Sequence, residues 1–124
     1  MSKVMLIEDD AMMVGLLTTL LGIEGFEVVS WKASEEILPA IRREQPGIIL
    51  MDVTLKNFDT EEISGFDLLA SIRADEDLGQ TKVIMSSGID YREKGKEAGA
   101  NGFVLKPYMP DDLIKLIKAI LSDG

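Results

Sequence analysis

Four short pieces of this chain carry groups suited to work together on a charged oxygen ligand: Glu8-Asp9-Asp10, Asp52, Ser86-Ser87 and Lys106-Pro107. Carboxylates bind hard cations, while a hydroxyl and an ammonium donate to anionic oxygens. Gathered in one crevice, the set would hold a divalent cation beside a phosphoryl group. The chain has no cysteine and no histidine, so disulfides, thiolate metal sites, zinc chemistry and imidazole acid–base catalysis are excluded. Any metal bound here must be a hard, oxygen-liganded ion such as Mg²⁺ or Mn²⁺.

Each piece directly follows an apolar, strand-like run: Val4-Met5-Leu6-Ile7, Ile48-Ile49-Leu50-Met51, Val83-Ile84-Met85 and Phe103-Val104-Leu105. In an open parallel sheet the carboxyl ends of the strands form the ligand crevice, so these runs would bring the four pieces together. Amphipathic segments separate the runs, which predicts βαβ units. The first strand is read over 3–8, with Asp10 capping a helix from Ala11 to Glu24 that stops at Gly25. The second strand is read over 27–31. Ser34 caps the second helix, and Pro39 inside it should kink the helix or delay its regular start. The third strand (47–51) is unbroken apolar, as a strand buried on both faces requires. A third helix over 65–74 with Ser64 as cap, a strand over 82–86, a short helix over 91–98, a strand over 102–105 and a helix after Pro110 complete the chain. Right-handed crossovers then imply a doubly wound α/β sandwich of three layers, its parallel sheet of five strands in the order 2-1-3-4-5.

The length of 124 residues suits one domain, and an apolar content of 46% suits a packed core. A net charge of -9 argues against direct nucleic-acid binding, which needs a basic footprint. Met1-Ser2-Lys3 ahead of four apolar residues is too short for a signal peptide, and no apolar run approaches the ~20 residues of a membrane span. A cytoplasmic protein is expected, with no membrane contact. In the first helix, Met12, Met13, Val14, Leu16, Leu17, Leu20, Leu21 and Ile23 cover a wider arc than one buried face needs. Either the helix packs between the sheet and a neighbouring helix, or part of the arc is a docking surface.

The whole chain, residues 1–124, resembles the receiver domain of two-component response regulators, a phosphoacceptor module with the flavodoxin-like fold. The matching pieces are Leu6-Ile7-Glu8-Asp9-Asp10, Ile49-Leu50-Met51-Asp52, Val83-Ile84-Met85-Ser86-Ser87 and Ala98-Gly99-Ala100-Asn101-Gly102-Phe103-Val104-Leu105-Lys106-Pro107. The resemblance implies that Asp52 accepts a phosphoryl group, in keeping with carboxylate nucleophilicity. It implies a Mg²⁺ or Mn²⁺ ion held by Glu8 (through water), Asp9, Asp52 and the backbone carbonyl of Thr54. Asp10 is left as a helix cap. Lys106 would balance the phosphoryl charge, and Pro107 after it often follows a cis peptide in this fold. Ser87, rather than Ser86, aligns with the switch hydroxyl, and Phe103 with the aromatic that turns inward as the loop moves. Thr54 and Ile89 stand at the two positions that tune attack by water, where an apolar Ile89 should shield the phosphoryl group. The implied phosphoryl donor is a histidine kinase or a histidine phosphotransfer protein. The implied receiver of the signal is an effector protein or a C-terminal output domain beyond this sequence.

Two stretches depart from the family pattern. Leu55-Lys56 replaces the usual Met-Pro, and Gly65 arrives about five residues late, leaving an enlarged loop over 53–64 with acids Asp59, Glu61 and Glu62. The segment from Ser87 to Lys106 is a few residues short, which trims the fourth helix or its leading loop. Two further readings of the site are an aspartate-nucleophile phosphohydrolase and an unphosphorylated interaction module or nucleotide binder. Thr54 stands where the phosphohydrolase needs a second Asp. The intact set of Glu8, Asp9, Asp52, Ser87 and Lys106 argues against the inert module, and the lack of a Gly-rich loop after the first strand argues against a nucleotide.

Overall fold

The computed structural model of the protein describes residues 2–32, 35–56 and 62–122. Its elements in chain order are β1 (Lys3–Ile7), α1 (Ala11–Ile23), β2 (Glu27–Ser30), α2 (Ile37–Glu44), β3 (Ile48–Asp52), β4 (Thr54–Lys56), β5 (Glu62–Ser64), α3 (Gly65–Ala74), β6 (Lys82–Ser87), α4 (Arg92–Ala98), β7 (Gly102–Leu105) and α5 (Pro110–Ser122). The parallel five-stranded sheet runs β2-β1-β3-β6-β7. That is the expected 2-1-3-4-5 order, with the inserted pair β4 and β5 set aside. Among the described residues no helix is long and apolar enough to cross a membrane.

The central strands are apolar on both faces because helices cover both, and the period of two divides their side chains cleanly. Met5, Ile7, Ile49, Met51, Val83 and Met85 pack with α2 and α3 through Ile37, Ala40, Ile41, Leu69 and Ile72. Val4, Leu6, Ile48, Leu50, Ile84 and Val104 pack on the opposite face with α1 and α5, through Leu17, Leu21, Leu113, Ile114, Ile117 and Ile120. In α1 only part of the wide apolar arc is covered: Leu17 and Leu21 are buried, whereas Met12 and Ile23 are exposed.

Local signals set the element ends. The Asp10 carboxylate accepts from the backbone N–H of Met12 and Met13 at 3.0 and 3.3 Å, capping α1 as expected. Ser64 Oγ accepts from Asp67 N and caps α3. Pro39 falls in the first turn of α2, where a missing N–H breaks no helical bond, so the helix starts late rather than kinking. Ser34, assigned as the cap of that helix, lies outside the described residues. The trimmed helix is present: α4 has seven residues. The stretch expected as an enlarged loop requires correction. Its two ends pair as an antiparallel ladder, Thr54↔Ser64, Leu55↔Ile63 and Lys56↔Glu62, with Leu55 fully buried. Alternating Thr54-Leu55-Lys56 supplies the strand pattern. Asp59 and Glu61 lie outside the described residues, and Glu62 is exposed on β5.

Candidate functional site

The site is built by the same alternation that builds the core. On β3 the side chains of Ile48 and Leu50 face α1 and α5, and Asp52 continues that row. On β6 Ile84 faces the same way and Ser86 follows it, paired in register with Asp52. Glu8 extends the row of Val4 and Leu6, and Lys106 extends that of Val104, each just past its strand. Glu8, Asp52 and Ser86 are the buried polar residues among those described.

Asp52 Oδ1 is the focus. Lys106 Nζ lies 2.8 Å from it, and Ser86 Oγ donates to it at 2.7 Å. Lys106 also reaches Glu8 Oε1 at 3.3 Å. The peptide between Lys106 and Pro107 is cis, and the Lys106 N–H donates to Ser87 O at 2.8 Å. One carboxylate oxygen each from Glu8, Asp9 and Asp52 can be chosen such that all lie within 4.8 Å of one another. An ion about 2.1 Å from its ligands spaces those oxygens by roughly 3–4 Å, so the trio fits Mg²⁺ with small adjustments. Asp9 Oδ2 accepts from Lys56 N at 2.8 Å, which ties the inserted ladder to the acidic trio.

Electrostatics agree with a site made for added positive charge. Burial, with the Asp52 carboxylate alongside, pushes the Glu8 carboxyl up to about 8 against the opposing pull of Lys106. Glu8 is therefore largely protonated at neutral pH until a cation replaces its proton. Burial lowers the affinity of Lys106 for its proton, but Asp52 and Glu8 outweigh this and the pKa is raised. Tyr108, beside the same group of charges, is pushed to about 12, chiefly by burial.

The structure brings together Glu8, Asp9, Asp52 and Lys106 as expected. Of the serines, Ser86 holds Asp52, whereas Ser87 Oγ accepts from Ile89 N at 3.1 Å. Ser87 sits on the opposite parity of β6, with Val83 and Met85. Phe103 is half-buried and paired with Met85, on the side of the sheet covered by α3 and α4. It lines a shallow groove of about 300 Å³ with Arg92, Lys96 and Asn101. Thr54 opens β4 with an exposed side chain, and Ile89 is 61% exposed on the loop after β6. Gly65 has a role that its late position in the sequence concealed. A Cβ there would collide with the Asp52 carbonyl oxygen and sit 2.9 Å from Val53 Cα, so only glycine lets α3 start against the end of β3.

Fold and crevice define a class: doubly wound α/β proteins in which a buried strand-end aspartate meets a lysine and an acidic, cation-sized cluster. The chain belongs to the response regulator receiver domain family, which matches residues 4–118. It is 29% identical over 119 residues to the probable transcriptional regulator ycf27 of Porphyridium aerugineum, covering 96% of this chain and 48% of that protein. It is 28% identical over 121 residues to the DNA-binding response regulator MtrA of Mycolicibacterium paratuberculosis, covering 96% and 51%. The chain thus spans about half the length of the curated relatives it matches. A putative response regulator from Chloroflexus aurantiacus superposes with a TM-score of 0.84 at 28% identity, covering 98% of both chains. The beryllofluoride-activated receiver domain of Klebsiella pneumoniae RstA shares the fold, with a TM-score of 0.81 at 24% identity over 96% of this chain and 97% of that one. The chain is a receiver domain with the flavodoxin-like fold, the phosphoacceptor switch of two-component signalling.

Proposed function

We propose that Asp52 is the phosphoacceptor and that phosphoryl transfer to it requires Mg²⁺ or Mn²⁺. The observation that carries this is the contact of Asp52 Oδ1 with Lys106 Nζ at 2.8 Å inside a cluster of three cation-sized carboxylates. Glu8, Asp9, Asp52 and the Thr54 carbonyl would hold the ion, which supplies positive charge to the transferring phosphoryl oxygens. Asp52 attacks phosphorus, and the bond to the donor's leaving group breaks. Lys106, already a counter-ion to the carboxylate, then neutralises charge on the phosphoryl oxygens. Ser87 and Phe103 relay the event along β6 and β7, while Thr54 and Ile89 set access of water to the acyl phosphate. The domain so read, residues 1–124, works as a switch that turns over only its own phosphoryl group.

The phosphoryl donor is a histidine kinase or histidine phosphotransfer protein, and the receiver meets it in the cytoplasm. Met12 and Leu16 on α1 and Met109 after Lys106 leave apolar surface at the crevice end for a donor's helix. The signal passes to an effector protein or to an output domain, as the DNA-binding relatives of twice this length suggest. The acidic receiver itself contacts neither nucleic acid nor membrane. Incubation with acetyl phosphate and Mg²⁺ tests the reading by intact mass. One phosphoryl group on the wild type and none on Asp52→Asn is expected. Equal labelling of Asp52→Asn, or no labelling of the wild type, would refute it.

A further inference from the structure

The acceptor oxygen has a second buried partner besides the lysine. Ser86 is 2% exposed, and its hydroxyl donates to Asp52 Oδ1 at 2.7 Å. Lys106 Nζ approaches the same oxygen at 2.8 Å. A carboxylate oxygen offers two lone-pair directions, so these two donors fill Oδ1 in the resting carboxylate. Once Lys106 turns to an incoming phosphoryl oxygen, Oδ1 keeps Ser86 and has one direction for the ion, and Oδ2 is the oxygen that bonds phosphorus. The Ser86 hydroxyl is not free to wander. Its backbone is paired in register with Asp52, and Ser86 O accepts from Val53 N at 2.9 Å. Lys106, at the end of a flexible chain, can move to an incoming phosphoryl oxygen; Ser86, on a buried strand, cannot follow.

We propose that Ser86 is a positioning residue that selects Oδ2 of Asp52 as the reacting oxygen and shortens the life of the acyl phosphate. The proposal rests on Asp52 being the phosphoacceptor. In the phosphorylated state Oδ1 is the uncharged carbonyl oxygen of a mixed anhydride whose negative charge lies on the phosphoryl oxygens, and the Ser86 bond to it is weak. In hydrolysis the oxygen of water bonds to phosphorus and the P–Oδ2 bond breaks, its electron pair returning to Asp52. Inorganic phosphate departs, and the proton lost by water passes to phosphate or solvent. As negative charge returns to the carboxylate, the Ser86 bond becomes charge-assisted and strengthens. Ser86 therefore stabilises the leaving carboxylate more than the acyl phosphate. A charged acceptor makes a bond about twice as strong as a neutral one, which corresponds to roughly three- to tenfold in rate.

Ser86→Ala, Ser86→Thr and the wild type are phosphorylated with acetyl phosphate and Mg²⁺, freed of donor, and followed for loss of the phosphoryl group. The half-life should lengthen roughly three- to tenfold in Ser86→Ala and return towards the wild-type value in Ser86→Thr. The second readout needs neither metal nor phosphate. With ¹³C-labelled aspartate, the infrared carboxylate band lost in Asp52→Asn is isolated by difference. That band should move in Ser86→Ala and stay in place in Ser87→Ala. An unchanged half-life or an unmoved band in Ser86→Ala overturns the proposal. Equal lengthening in Ser86→Thr, which keeps the hydroxyl, overturns it as well. A wild type that takes up no phosphoryl group is a different failure: it removes Asp52 as phosphoacceptor, and this proposal with it.

Discussion

Replacing Gly65 with alanine should separate close approach from helix propensity. The new Cβ would overlap the Asp52 carbonyl oxygen and lie 2.9 Å from Val53 Cα and 3.0 Å from Met85 Cε. The Met85 methyl can swing aside. The backbone atoms cannot, because Val53 N is bonded to Ser86 O at 2.9 Å and Gly65 N to Val53 O at 2.5 Å. Relief therefore requires the first turn of α3 to back away, at about 1–3 kcal/mol of strain. It also forfeits the Gly65–Val53 hydrogen bond, about 1 kcal/mol. Alanine in place of glycine returns at most about 1 kcal/mol of backbone entropy. With that full return the net loss is about 1–3 kcal/mol, which lowers a urea midpoint by roughly 0.5–1.5 M at the slopes usual for small domains. Gly15 is the internal control. It lies in α1 with nothing within 4 Å of its would-be Cβ, so Gly15→Ala should stabilise the fold by up to about 1 kcal/mol. Gly65→Ala should also slow labelling of Asp52 by acetyl phosphate, since the displaced carbonyl belongs to the proposed acceptor. A Gly65→Ala midpoint equal to or above that of the wild type would show that α3 does not abut β3 as described.

Two further outcomes follow from charge and hydrogen bonding. The Glu8 carboxyl titrates near 8 in the metal-free folded protein and at 4.5 as a free side chain. Below about pH 4.5 both states hold the proton and its contribution is fully present; between there and about pH 8 only the folded state keeps it, so stability declines as pH rises. Wild type should thus lose a few kcal/mol relative to Glu8→Gln between pH 5 and 8 in metal-chelated buffer; a urea-midpoint difference that stays flat or rises across this window contradicts the assignment. Arg73 donates to Gly79 O at 3.1 Å, Thr81 O at 2.6 Å, Gly99 O at 2.8 and 3.0 Å and Asn101 Oδ1 at 3.0 Å, joining α3 to the loops on either side of β6 and α4. Arg73→Met should cost about 2–3 kcal/mol by thermal or urea unfolding, with Arg73→Lys recovering little because one ammonium cannot span the fork; full recovery by lysine would show that charge alone matters.

How far the sequence reaches into this site depends on what each residue answers to. The strands and the membership of Glu8, Asp9, Asp52 and Lys106 follow from apolar runs that stop at charged residues, a pattern carried by single positions, while the strand order follows from the handedness of the crossovers. The caps Asp10 and Ser64 are legible for the same reason: each bonds N–H groups two or three residues away. The ladder of β4 and β5 was not legible, because two three-residue strands separated by an acidic stretch carry too little periodicity to outweigh its loop-like composition. Arg73 was hidden for another reason, since its acceptors are backbone carbonyls that sequence does not mark. Ser86 is the instructive case. Reading the pair Ser86-Ser87 by likeness to a family pattern favoured Ser87. Reading it by the period of two would have favoured Ser86, because Ile84 and Ser86 share parity, as do Leu50 and Asp52 in the strand alongside. Both readings can stand, since a hydroxyl that holds the resting carboxylate and one that answers a new phosphoryl group need not be the same. The two adjacent serines point to opposite faces of one strand, so resting-state positioning and signal relay are separable by single substitutions at Ser86 and Ser87.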